Sequence, residues 1–371
     1  MVTLHWEEDG VPKSALWRSE NGAVPPRRVV IADDATTADA AYRLACEGTA
    51  LLWRGDFQNA RQLLQAMGRR ADQKKKKPAV PKNITEAFHL HRQSQLQRAR
   101  MLGMLLVPVE AGHVIPLRRA PDVVSACTEA YAECSEPYIV SLRELQGVIG
   151  AHEWRKKGVA IPALGGQHIH PHYGVFSPVR GEYLDLIAQA PLPSTELAFD
   201  IGTGTGVIAA VLAQRGVKKI VATELNPRAL ACARDNIERL GLGERIEIGA
   251  TDLFPAGQAP LIVCNPPWLP GAANSVLDQA IYDPDSRMLQ GFLKGLKDHL
   301  SPGGEGWLVL SDLAEHLGLR SRAFLLKAIA DAGLTVLERL DIRPRHGKAT
   351  DVSDHLHAAR SAEVTSLWRL Q

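Results

Sequence analysis

Apolar residues in the stretch 37–68 recur at steps of three and four among Ala, Leu, Gln and Arg, which predicts helix with a break at Gly55-Asp56. A second helix is predicted over 85–106, from an N-cap at Thr85 through Phe88, Leu96 and Leu102 to a stop before Pro108. Third and fourth helices follow near 123–134 and 140–153, so the first 157 residues read as a mainly α-helical domain. No catalytic signature stands out in it. Over 158–178 the pattern changes to short apolar and β-branched pieces cut by Gly165-Gly166, Pro171 and Gly174, which predicts a connecting hairpin or loop. From 179 onward short strands alternate with helices. The strands are predicted at 197–201, 219–223, 245–248, 261–264, 306–310 and 335–339, and the helices at 206–215, 227–240, 288–299 and 320–332. Such alternation specifies a parallel sheet wrapped by helices. The last strand, 363–369, follows a polar segment with Pro344 and Gly347 rather than a helical crossover, so it should close an antiparallel hairpin.

A length of 371 residues agrees with two domains, and 45% hydrophobic with 23% charged residues is the balance of a folded globular chain. No apolar run approaches the roughly 20 residues that span a bilayer, and the first ten residues carry Glu7, Glu8 and Asp9 where a signal peptide would be basic, so the reading is cytoplasmic with no membrane partner. The five cysteines are odd in number and form no C-x-x-C pair, which speaks against a disulfide framework or zinc knuckle. A net charge of +2 does not by itself identify a nucleic-acid binder. The basic run Lys74-Lys75-Lys76-Lys77, preceded by Arg69-Arg70 and followed by Pro78 and Pro81, is read as a solvated linker, with a phosphate-binding patch as the functional alternative.

Candidate chemistry lies in two motifs. Phe199-Asp200-Ile201-Gly202-Thr203-Gly204-Thr205-Gly206 joins a predicted strand to a predicted helix. Its glycines permit a tight turn and close approach of a ligand to the backbone, beside the free N–H groups of a helix N-terminus. A dinucleotide site would want G-x-G-x-x-G, and here the third glycine of that pattern is replaced by Val207. The second motif, Asn265-Pro266-Pro267-Trp268, ends a strand at the edge where open α/β sheets bind ligands. Two prolines make a rigid turn and remove backbone donors, leaving carbonyls free to accept hydrogens from an NH2 group. An amide or base NH2 is a weak nucleophile because its lone pair is delocalised. The Asn265 side-chain oxygen and the Pro266 carbonyl can each accept one of its hydrogens and aim that lone pair, while Trp268 stacks on the planar group.

The G-x-G-x-G loop with its preceding acid resembles the first motif of class I S-adenosylmethionine-dependent methyltransferases, and Asn-Pro-Pro-aromatic resembles the fourth motif of amino-group N-methyltransferases. The resemblance covers about residue 175 to the end. It implies a doubly wound, Rossmann-like seven-stranded sheet with an antiparallel last strand, and S-adenosyl-L-methionine as cofactor. The cofactor site would then comprise Phe176 in a covering segment, Asp200, Gly202, Thr203, Gly204 and Gly206 in the loop, Glu224 on the ribose hydroxyls, Asp252 beside the adenine amine, and Asn265. Asn265, Pro266, Pro267 and Trp268 form the acceptor set. Alternating His168, His170 and His172 are read as polar loop residues, and no metal is expected.

The HemK-like glutamine methyltransferases share the Asn-Pro-Pro-aromatic motif and a helical module ahead of the catalytic domain. Their aromatic is usually Tyr, where this chain has Trp268. A glutamine side-chain amide of a translation protein is accordingly the first acceptor implied, and the exocyclic amine of a base in rRNA, tRNA or DNA the second, with Lys74–Lys77 as a nucleic-acid contact. A third reading is a cofactor-binding scaffold without catalysis.

Overall fold

The computed structural model describes residues 2–73, 81–273, 275–344, 351 and 354–371. The basic run Lys74–Lys77 lies outside the described residues. The chain forms two compact units, one of residues 1–82 and 89–153, the other of residues 83–88 and 154–371.

The first unit contains β1 (Thr3–Glu8), β2 (Val11–Arg18), β3 (Arg28–Ala32), α1 (Ala38–Cys46), β4 (Thr49–Trp53), α2 (Phe57–Gln73), most of α3 (Ile84–Leu102), β5 (Leu105–Val109), α4 (Val124–Tyr131), β6 (Tyr138–Ser141) and most of α5 (Leu142–Lys157). Its strands make one mixed sheet in the order β1-β2-β6-β5-β4-β3. This corrects the mainly α-helical expectation: the expected helices exist, but the unit is built on a six-stranded sheet. The physical reason lies in β4 and β5. Thr-Ala-Leu-Leu-Trp and Leu-Leu-Val-Pro-Val are buried at every position, so they show no alternation and merge by pattern into the helices beside them. A left-handed Gly48, φ 78°, separates α1 from β4.

In the second unit, β7 (Val159–Ala160) and β8 (His168–Ile169) form the small hairpin expected within 158–178. The hairpin is part of this unit rather than a connector. Then follow α6 (Glu182–Gln189), β9 (Leu197–Ile201), α7 (Val207–Gln214), β10 (Lys219–Glu224), α8 (Pro227–Arg239), β11 (Ile246–Ala250), β12 (Ala259–Cys264), β13 (Leu269–Pro270) and β14 (Tyr282–Asp283). The chain continues through α9 (Arg287–His299), β15 (Leu300–Ser311), α10 (Leu313–His316), α11 (Arg322–Asp331), β16 (Val336–Ile342), α12 (His357–Ala362) and β17 (Thr365–Leu370). The main sheet has seven strands in the order β11-β10-β9-β12-β15-β17-β16, and β17 runs antiparallel to both of its neighbours.

Side chains alternate between the two faces of the strands. Ala198, Val263 and Trp307 enter one core with the buried residues 207–213 of α7, while Phe199, Ile262 and Leu308 enter the other beneath α9 and α11. The strand order reverses at β9, which has β10 on one side and β12 on the other. Such a switch point opens a crevice beyond the carboxyl ends of the two strands.

Candidate active site

Both sequence motifs emerge at that crevice. Ile201 and Cys264 are direct partners across β9 and β12, so Gly202 and Asn265, the next residues of each strand, leave the sheet side by side. Gly202, Gly204 and Gly206 hold φ values of 70°, 58° and 81°, a conformation that L side chains adopt only with strain. At Gly202 the Met288 side chain occupies the space a Cβ would need, whereas at Gly206 a Cβ would make ordinary contact with Ala233 and Ile237 of α8. Beside Gly204 there is nothing within 4 Å: the loop faces open space there.

Asp200 is fully buried beneath the loop and shapes it. Its Oδ2 accepts the Thr203 hydroxyl at 2.6 Å and the Ala209 N–H at 3.1 Å. Burial pushes its carboxyl up to about 6, and the Glu224 charge adds to that. Glu224, the last residue of β10, turns back to the loop: Oε2 accepts the Gly204 N–H at 3.1 Å, and Oε1 accepts those of Leu225 and Asn226 at 2.8 and 3.0 Å. Oε1 is thereby filled, while Oε2 retains acceptor capacity. Asn226 then caps α8 by accepting from Arg228 and Ala229, ahead of Pro227. Asp252 is exposed beyond β11 and lies 3.7 Å from Arg287. Phe176 is half-buried, next to Val175, which packs on Ala229 and Cys232 of α8.

In the acceptor motif, Pro266 is buried while Asn265, Pro267 and Trp268 are half-buried. The Trp268 indole Nε1 donates to the Asn265 Oδ1 at 2.8 Å, and its ring packs against both cores of the sheet. Two arginines hold Trp268. Arg320 donates to its carbonyl at 3.2 Å, and the Arg180 guanidinium lies 5.3 Å from its ring centre. Sequence reasoning missed these partners, with Glu363 and Ser311, because nothing in their local pattern marks them. The histidines of the hairpin serve structure: His170 contacts the Arg155 carbonyl at 2.7 Å and His172 the Asp235 carboxylate at 3.1 Å.

A nucleoside cofactor fits these residues. The open face at Gly204 admits it, the Glu224 Oε2 beside that face can accept from a ribose hydroxyl, and the crevice places Asn265 at the same rim. The strand order, the single reversed strand and the two motifs at the switch point define a class I S-adenosylmethionine-dependent methyltransferase domain. Residues 167–329 match the methyltransferase small domain model. The chain is 31% identical over 202 residues, half of its length and 79% of the relative's, to the tRNA1(Val) (adenine(37)-N6)-methyltransferase of Shewanella loihica. It is 30% identical over 161 residues to a putative protein N5-glutamine methyltransferase of Methanocaldococcus jannaschii, covering 41% of this chain and 80% of that one. The chain therefore belongs to the methyltransferase small domain family, and its cofactor is S-adenosyl-L-methionine.

It is also 33% identical to the release factor glutamine methyltransferase of Cereibacter sphaeroides, over 45% of its own length and 63% of that relative's. Among solved structures it resembles the ribosomal protein L11 methylase of Lactobacillus delbrueckii, with a TM-score of 0.39 and 17% identity over 56% of this chain and 86% of that one. No described helix is long and apolar enough to cross a membrane.

Proposed function

We propose that this protein N-methylates the exocyclic amino group of a nucleobase in RNA. The observation that carries the reading is the Trp268 indole held on Asn265 at 2.8 Å, which sets a two-ring face beside the amide that receives the NH2. The cofactor supplies an electrophilic methyl on sulfur. The protein's part is orientation: the Asn265 Oδ1 and the Pro266 carbonyl accept the two amine hydrogens and draw the lone pair out of conjugation, while Trp268 stacks on the base and excludes water. The nitrogen becomes cationic on transfer and can release its proton to solvent as the product leaves the site, so no strong base is required. Asp200, Gly202, Thr203, Gly204 and Gly206 form the cofactor cradle, with Glu224 on the ribose, Asp252 near the adenine and Phe176 in the cover. The Shewanella relative acts on an adenine N6 by its name, which agrees with this acceptor class.

A glutamine side-chain amide is the second reading, favoured by the names of the Cereibacter and Methanocaldococcus relatives. The six-stranded N-terminal unit departs from the helical module of the HemK-like group and weakens that reading. The intact acceptor set speaks against a scaffold without catalysis. The test offers labelled cofactor with RNA and with a Gly-Gly-Gln-containing protein. Label in RNA that falls steeply with salt supports the base acceptor, with Lys74–Lys77 as one source of the salt dependence. Label in the protein alone overturns it.

A further inference from the structure

Trp268 and Asn265 rest on a chain of buried and half-buried groups that reaches across the rim of the sheet. Because β17 is reversed, its first residues lie at the edge where the parallel strands end, and Ser311 pairs with Thr365 there. Glu363, just before β17, is 1% exposed and accepts the Ser311 hydroxyl at 2.6 Å. The same Oε1 accepts Arg180 Nη2 at 3.0 Å, and Arg180 Nε lies 3.7 Å from the buried Glu182. The guanidinium so anchored lies over the Trp268 ring, 5.3 Å from its centre, and the indole N–H reaches Asn265.

The two ends of an asparagine amide are chemically opposite, and its partner decides which one is presented where. An indole nitrogen only donates, so it selects the Oδ1 end of Asn265 and leaves that oxygen one further lone pair. A mobile indole would let the amide flip and offer NH2 to an NH2 acceptor, donor against donor. A planar guanidinium can lie flat on an indole and hold it, as a lysine ammonium cannot.

We propose that Arg180, anchored by Glu363, is a positioning residue for methyl transfer: it holds the Trp268 indole so that Asn265 presents its carbonyl oxygen to the acceptor amine. This rests on the reading of Asn265 as the group that orients an NH2 acceptor.

The test uses the full chain with 15N-labelled tryptophan. The Trp268 indole resonance is identified by its loss in Trp268→Phe, and its exchange with solvent is measured without any acceptor. In Arg180→Lys the indole N–H should exchange about tenfold faster and kcat should fall about tenfold, with the cofactor Kd within about twofold of wild type. Isosteric Glu363→Gln should move both quantities the same way by about threefold, and it carries the test if Arg180→Lys does not fold. Unchanged indole exchange in the folded variants overturns the proposal whatever the acceptor is. Faster exchange with unchanged kcat overturns it too, since Arg180 would then hold the ring for structure alone. Methylation of oxygen or carbon by the wild type would instead sink the NH2 reading, a failure that the acceptor-free exchange measurement keeps separate.

Discussion

Glu224 and Gly204 are joined by a hydrogen bond from the glycine N–H to the carboxylate at 3.1 Å, which ties the end of β10 to the loop after β9. The other carboxylate oxygen receives two more backbone donors, from Leu225 and Asn226. One side chain thus fixes two loops of the proposed cofactor cradle. Glu224→Gln keeps the volume but turns an NH2 toward one of these sets of N–H donors, a repulsion that neither loop can satisfy. Cofactor Kd by calorimetry should rise on the order of 100-fold, as expected when charge-assisted bonds are lost. An affinity equal to wild type would remove Glu224 from the cradle.

Asn265→Ala should divide the two steps. Its oxygen is proposed to act on the acceptor, and the proposed cofactor cradle is built from the ends of β9 and β10 instead. Turnover is expected to fall by about 100-fold or more while the cofactor Kd changes less than about threefold. Calorimetry beside single-turnover rates reads both quantities, and parallel losses would contradict the assignment.

Gly204→Ala isolates the open face of the loop. With no atom within 4 Å of the added methyl and φ at 58°, the unliganded protein should lose only about 1 kcal/mol to backbone strain, read by urea unfolding. The methyl would project into the space assigned to the cofactor, so Kd should rise by about tenfold or more. A stability loss with unchanged Kd would mean that the cofactor lies elsewhere.

Much of this site is legible in sequence because its parts are contiguous. The strand predicted at 197–201 is β9 (Leu197–Ile201), and the glycine loop, Glu224 and Asn265 each sit at a strand end that local pattern marks. The expected last strand, 363–369, is β17 (Thr365–Leu370), antiparallel as its polar connection implied. The hidden part depends on long-range contact. Arg180 and Glu363 are 183 residues apart and meet only because β17 is inserted between β15 and β16. In the first unit, β4 and β5 were hidden by complete burial, which erases the alternation that identifies a strand. Tertiary context decided there what periodicity could not.

Asp200 provides a prediction in pH. Its folded carboxyl sits at about 6 against 3.8 for a free one, with burial as the main cause, so the folded chain holds this proton over a range where the unfolded chain has released it. Stability then falls as pH rises from about 4 to above 6, because the folded state binds more protons than the unfolded state across that window. Asp200→Asn removes the titration, and its side-chain oxygen can still accept from Thr203 and Ala209. Relative to this variant, the wild type should lose about 2 kcal/mol of unfolding free energy between pH 4 and pH 7.5, most of the full shift at 1.36 kcal/mol per unit, because the unfolded carboxyl is already partly ionised at pH 4. Urea unfolding of both proteins at several pH values reads the difference directly. Curves that remain parallel would mean that Asp200 is ionised in the folded protein throughout, and that the loop stabilises its charge better than its burial implies.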